Sequence, residues 1–138
     1  KMIYSPQPEP YLRRVLIVVS DGQDNYSEHS REEALSMAQK AEATIYAIST
    51  NLTGAEHRGD KVLEYLAKET GGRFFFNTQE GEMETDFKRI ANELRRQYSL
   101  AYVSTNPAHD GSFRKISIKT DKKDLRVQAK SGYFAPSQ

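Results

Sequence analysis

The chain predicts an α/β fold: three layers, a mainly parallel sheet flanked by helices, and a C-terminal antiparallel β-hairpin extension. Three observations predict it. Short apolar, β-rich runs alternate with helically periodic runs through the first two thirds of the sequence, the pattern of parallel strands joined by crossover helices. The last third changes to period-two alternation, the pattern of antiparallel strands with one wet face. At 138 residues the chain is long enough for one ordinary domain.

The elements follow in order. Residues 1–11, with Pro6, Pro8 and Pro10, predict an extended linker. The α/β part is expected over 12–104. Val15-Leu16-Ile17-Val18-Val19 is an unbroken apolar run with three valines. It predicts a strand over 14–20 buried on both faces. Ser30 and Glu33 have capping-box spacing. Ala34, Leu35, Ala38 and Ala41 then recur at helical steps, so a helix is expected over 31–42. Residues 44–49, rich in β-branched and apolar side chains, predict a second buried strand.

Asp60 is placed to cap a helix carrying Val62, Leu63, Leu66 and Ala67 on one face, and Gly71-Gly72 to end it. Residues 73–76 predict a third strand, with Phe74, Phe75 and Phe76 in the core. Met83, Phe87, Ile90, Ala91 and Leu94 mark a helix over 82–97. A further strand is expected over 98–104, with Tyr98, Tyr102 and Tyr133 packing where the hairpin meets the sheet. Residues 105–138 form the extension and tail. In it Ile116 and Ile118 alternate with lysine and serine, and Leu125, Val127 and Ala129 with polar residues. Asp121–Asp124 would join the two runs as a hairpin.

Composition narrows the function. Twenty basic and 19 acidic residues leave a net charge of +1, which gives no reason to expect nucleic acid as a partner. The absence of cysteine excludes disulfides, thiolate catalysis and cysteine zinc sites. No apolar run approaches the roughly 20 residues that cross a bilayer, so membrane insertion is not expected. Residues 1–14 hold no signal-peptide apolar core.

The candidate site lies just after the first strand. Ser20-Asp21-Gly22-Gln23-Asp24-Asn25 places two carboxylates, an amide and a glycine where the strand opens into a loop. In open α/β sheets ligands bind at those C-terminal ends. An oxygen-rich loop there suits a hard cation such as Mg²⁺ or Ca²⁺. Asp21 is the candidate metal ligand. Ser20, Gly22, Asp24 and Asn25 form the candidate rim, with turn formation as the competing role for Asp21-Gly22, Asp24 and Asn25. His29, His57 and His109 lack metal-ligand spacing and read as solvated surface residues. No Gly-x-Ser-x-Gly accompanies Ser20 or Ser27.

Taken together, Ser20-Asp21-Gly22, Ile45-Tyr46-Ala47-Ile48, Gly71-Gly72-Arg73-Phe74-Phe75, Gln97–Tyr102, Phe113–Ile118 and Gly132–Pro136 resemble the C-terminal half of a von Willebrand factor A-type domain of bacterial kind, a Rossmann-like fold. Ser20-Asp21-Gly22 is similar to the third loop of that family's metal-ion-dependent adhesion site. No Asp-x-Ser-x-Ser, the family's first metal loop, occurs in these residues. The resemblance therefore carries over Asp21 alone, and the site is incomplete in this chain.

The resemblance implies a protein-binding, adhesion-type module that meets its protein ligand through the loop face at the C-terminal edge of the sheet. A divalent cation such as Mg²⁺ would serve in the longer domain and none in this chain. It implies an exported or cell-envelope protein of a bacterium. The alternatives are a structural module of a larger envelope protein without a live metal site, and a metal-dependent hydrolase using Asp21, Asp24 and His29; of these readings, binding without catalysis is the one expected. With the preceding family strands absent, the strand over 14–20 would present an open edge, so a homodimer or a segment swap is expected there.

Overall fold

The computed structural model describes residues 13–77 and 81–137. The expected linker over 1–11 lies outside these residues.

The first strand, β1 (Arg14–Ser20), runs parallel to β2 (Ala43–Ser49), with Arg14 opposite Ala43 and Ser20 opposite Ser49. β3 is only Phe74–Phe75 and runs parallel to β2, with Ala47 opposite Phe74. The order β1-β2-β3 puts β2 in the middle. Ile45 through Ser49 are accordingly all buried.

Helices cover both faces. α1 (Arg31–Lys40) starts at the capping box, where Ser30 Oγ accepts the Glu33 N–H and the Glu33 carboxylate accepts the Ser30 N–H. It ends two residues earlier than expected. α2 (Arg58–Glu69) begins before Asp60, which sits in its first turn and reaches back to the His57 N–H. α3 spans Glu82–Arg95. Leu63 and Ala67 of α2 pack on Ala47, whereas Ile90 of α3 packs on Tyr46, Ile48 and Phe75. Consecutive residues of a strand face opposite sides, so α2 and α3 sandwich the sheet.

Three expectations are corrected. First, β1 is not buried on both faces. Leu16 is 51% exposed, and Val15, Ile17 and Val19 are each more than a third exposed. Only Val18 reaches a core cluster. An apolar run records composition, and burial needs neighbours; among the described residues β1 has a strand on one edge only.

Second, no strand forms over 98–104. Tyr98 is 93% exposed, and only Tyr102 meets Tyr133, ring edge to face at 6.4 Å. The segment has no strand partner for its backbone.

Third, the antiparallel extension is present but in another register. It pairs β4 (Phe113–Lys115) with β5 (Gly132–Phe134), Phe113 opposite Phe134. The alternating runs expected to pair leave Ile118, Leu125 and Val127 exposed. Ring packing decides this. Phe113 and Phe134 meet at 5.3 Å, and the Phe113 ring lies where Gly132 has no side chain.

Among the three phenylalanines, Phe75 is buried and Phe74 and Phe76 are half-buried.

Ser131 fastens this small sheet to the helices. Its N–H and its hydroxyl both donate to the Glu69 carbonyl at 3.1 Å, and its carbonyl accepts the Ile116 N–H at 2.8 Å. Its hydroxyl also accepts from Gln39 Nε2 at 3.3 Å. The chain passes close over Gly71, whose φ of 84° ends α2 in the left-handed region.

Candidate functional site

The C-terminal ends of β1 and β2 open on a crevice of about 270 Å³ lined by Asp21, Gln23, Asn51, Thr53 and His57 among others. Two turns build its β1 wall. Ser20 Oγ accepts the Gly22 N–H at 3.0 Å, and Asp21 Oδ1 accepts the Gln23 N–H at 3.1 Å. Gly22 has a φ of 68°, and a side-chain carbon there would run into the Gly59 backbone. The loop after β1 therefore rests directly on the first turn of α2.

The β2 wall is organised by Asp60, which is 1% exposed. Its Oδ1 accepts from Ser49 Oγ at 2.5 Å. Its Oδ2 accepts from Asn51 Nδ2 at 2.7 Å and from the His57 N–H at 2.8 Å. Burial opposes ionisation of this carboxyl, but the donors from His57, Ser49 and Asn51 outweigh it and hold the group below its ordinary value. Asn51 extends the network: Nδ2 also donates to the Ala55 carbonyl, and Oδ1 accepts from Thr53 Oγ1. Thr53 Oγ1 lies 2.9 Å from His57 Nε2.

Of the predicted site residues, Asp21 lines the crevice, with Ser20 and Gly22 forming its turn. Asp24 does not join it. Its Oδ1 accepts the N–H groups of Tyr26 and Ser27, which is turn chemistry. Asn25 also lies outside the lining. His29 is exposed beside Glu33, and His57 belongs to the crevice wall.

A hard cation takes about six oxygens. Asp21 brings one carboxylate to the crevice, and among the described residues no group of three or more His, Cys, Asp or Glu gathers to hold a metal. The donors gathered among the described residues do not fit a resident divalent cation.

Sequence reasoning missed two buried carboxylates. Asp60 was read as a helix cap, although it also ties β2 to α2. Asp86 lies on α3 one turn before the buried Ile90, 1% exposed. Its Oδ1 accepts from Arg89 at 3.2 Å, while its Oδ2 is buried without a hydrogen-bond partner. The available signal was an acidic residue on the apolar stripe of an amphipathic helix.

No family model and no curated protein matches the chain. Among solved structures it is similar to an uncharacterized membrane spanning protein from Vibrio fischeri, at 22% identity and a TM-score of 0.51. The likeness covers 59% of this chain and 47% of that one, so it spans about half of the neighbour's length. At this identity it shows the fold alone: a mixed α/β chain with a three-stranded parallel sheet.

Proposed function

We propose that the chain is a protein-interaction module whose binding element is the outer edge of β1. One observation carries this. Among the described residues, a strand with the composition of a sheet interior lies at a sheet edge and exposes Val15, Leu16, Ile17 and Val19. Unpaired N–H and C=O groups beside aliphatic side chains form a template for a further strand.

The direction of the free groups follows from one hydrogen bond. The Ser20 carbonyl accepts the Thr50 N–H at 3.0 Å, so Ser20 faces β2. Along a strand the backbone groups alternate in direction. Val15, Ile17 and Val19 thus turn their N–H and C=O groups away from β2.

The sheet order and the Asp21-Gly22 loop at the end of β1 support a likeness to the C-terminal half of a von Willebrand factor A-type domain. In this reading the crevice serves as polar contact surface for a protein ligand at the loop face, without a metal. An envelope location, with the chain as a module of a larger bacterial protein, is supported by the membrane-spanning description of the Vibrio fischeri neighbour. Among the described residues no helix is long and apolar enough to cross a membrane.

Amide hydrogen exchange tests the edge. In dilute solution Val15, Ile17 and Val19 exchange fast, and Leu16 and Val18 slowly. Equal protection of both sets at the lowest concentration would mean the edge is already covered, and the reading falls.

A further inference from the structure

We infer that the basic end of the molecule, opposite the crevice, lies against an anionic phospholipid surface. The inference goes beyond the interaction reading above and makes no use of the β1 edge.

Charge is divided along the chain. Residues 111–138 hold seven basic and two acidic residues, a net +5, whereas residues 1–110 hold 13 basic and 17 acidic residues, a net −4. Lys115, Lys119, Lys122, Lys123, Arg126 and Lys130 join no ion pair among the described residues. All but Lys130 are exposed.

The fold gathers further cations at the same end. Ser131 and Gln128 hold the segment to Glu69 and Gly71, where α2 stops. The strands are parallel, so all three helices run the same way and stop at this end. Each helix is basic in its last turn, at Lys40, Lys68 and Arg95, and acidic in its first. Arg13 and Arg14 stand at the start of β1, and Arg13 donates to Gln97 and Ser99 just after α3. Acidic residues at this end include Glu42, Glu69 and Glu93, the last of them paired with Arg73. The crevice lies at the other end of α2, about 18 Å away along its 12 residues.

The side chains among these cations select lipid. Ile118, Leu125 and Val127 are 40%, 54% and 46% exposed. A nucleic-acid backbone attracts the cations and leaves such aliphatics in water. A bilayer interface takes both, with headgroups for the lysines and the acyl boundary for the aliphatics. The cations also come from several separate segments: the start of β1, the ends of three helices, and residues 115–130. An extended charged surface meets all of them at once. Docked in this way, the molecule turns its crevice away from the bilayer and leaves it open to a protein ligand.

The test is co-sedimentation of the full chain with phosphatidylcholine vesicles, with and without about 30% phosphatidylglycerol. Binding to the anionic vesicles is expected to be at least about tenfold stronger at about 50 mM salt, and to fall about tenfold by about 500 mM. Lys122→Glu with Lys123→Glu weakens it about tenfold or more, whereas Arg58→Glu with Lys61→Glu, at the crevice end, changes it less than about threefold. Leu125→Ser with Val127→Ser weakens vesicle binding at least about threefold and leaves binding to polyglutamate unchanged.

Orientation is read separately. The chain has no cysteine, so an environment-sensitive dye reports one chosen position. On Val127→Cys its emission shifts to the blue with anionic vesicles. On Tyr26→Cys, in the exposed loop after β1, it does not.

Equal binding to both kinds of vesicle overturns the inference. So do equal losses from charge reversal at the two ends, which would make net charge the cause, and equal dye shifts at 26 and 127. Polyglutamate bound as tightly as the anionic vesicles, with no effect of the serine substitutions on either, would assign this end to an acidic protein and also overturns lipid docking.

Discussion

Gly22 and Gly59 pack backbone against backbone, and a side-chain carbon on either would collide with the other's main chain. The contact joins the loop after β1 to the first turn of α2, next to Asp21 and Gln23 of the polar crevice. Gly22 also holds a φ of 68°, which L-residues rarely adopt. Gly22→Ala therefore meets both strain and collision, and Gly59→Ala meets collision alone. Each is expected to lower unfolding free energy by about 1–3 kcal/mol, Gly22→Ala the more, as read from urea denaturation.

Asp60 makes stability depend on pH. Its carboxyl titrates below its ordinary value in the folded chain. The ionised form is thus favoured by folding. Its contribution is fully present above the unfolded-state value and is lost as pH falls through the depressed folded value. Asp60→Asn leaves Ser49 and His57 facing an amide, and costs about 1–3 kcal/mol at pH 7. Denaturation curves from pH 7 to below pH 4 should converge for parent and variant as the pH drops. Parallel curves would show that the network does not favour the charged form.

The crevice should be indifferent to divalent cations. Asp21 supplies one carboxylate where about six oxygens are needed. The melting midpoint is expected to be the same in Mg²⁺, Mn²⁺ and EDTA. A rise with metal that disappears in Asp21→Ala would reveal a working site, because a ligand of the folded state raises the midpoint by mass action.

Core and edge isoleucines should respond differently. Ile90 is 1% exposed between Tyr46, Ile48 and Phe75. Ile90→Ala is expected to cost about 2–5 kcal/mol. Ile17 is 39% exposed, and Ile17→Ala should cost about 1 kcal/mol or less in dilute solution. Comparable losses at low concentration would place Ile17 in a core.

The sequence disclosed what is decided locally. The Ser30–Glu33 box is a matter of one helical turn, and it appears as expected. The parallel strands and the glycine stop at Gly71 were equally legible. Neighbours were not. The run Val15–Val19 states that burial is wanted, but not what supplies it. Residues 116–119 and 125–130 alternate correctly, yet pairing went to Phe113–Lys115 and Gly132–Phe134, because two rings and a glycine fit there. Asp21 was found by its place after a strand. The network of Ser49, Asn51, His57 and Asp60 has no motif spacing, since its members meet only after α2 docks beside β2.

Ser131 gives the tail an influence out of proportion to its length. One residue holds the Glu69 carbonyl at the end of α2, receives Gln39 near the end of α1, and binds Ile116 beside β4. A protease cutting after Lys130 would leave Ser131 and β5 held to the helices by these hydrogen bonds and by packing alone. Integrity of the first two helices is thereby made answerable to a residue 92 positions after Gln39 and 62 after Glu69, so these anchors of α1 and α2 form only once Ser131 has been added.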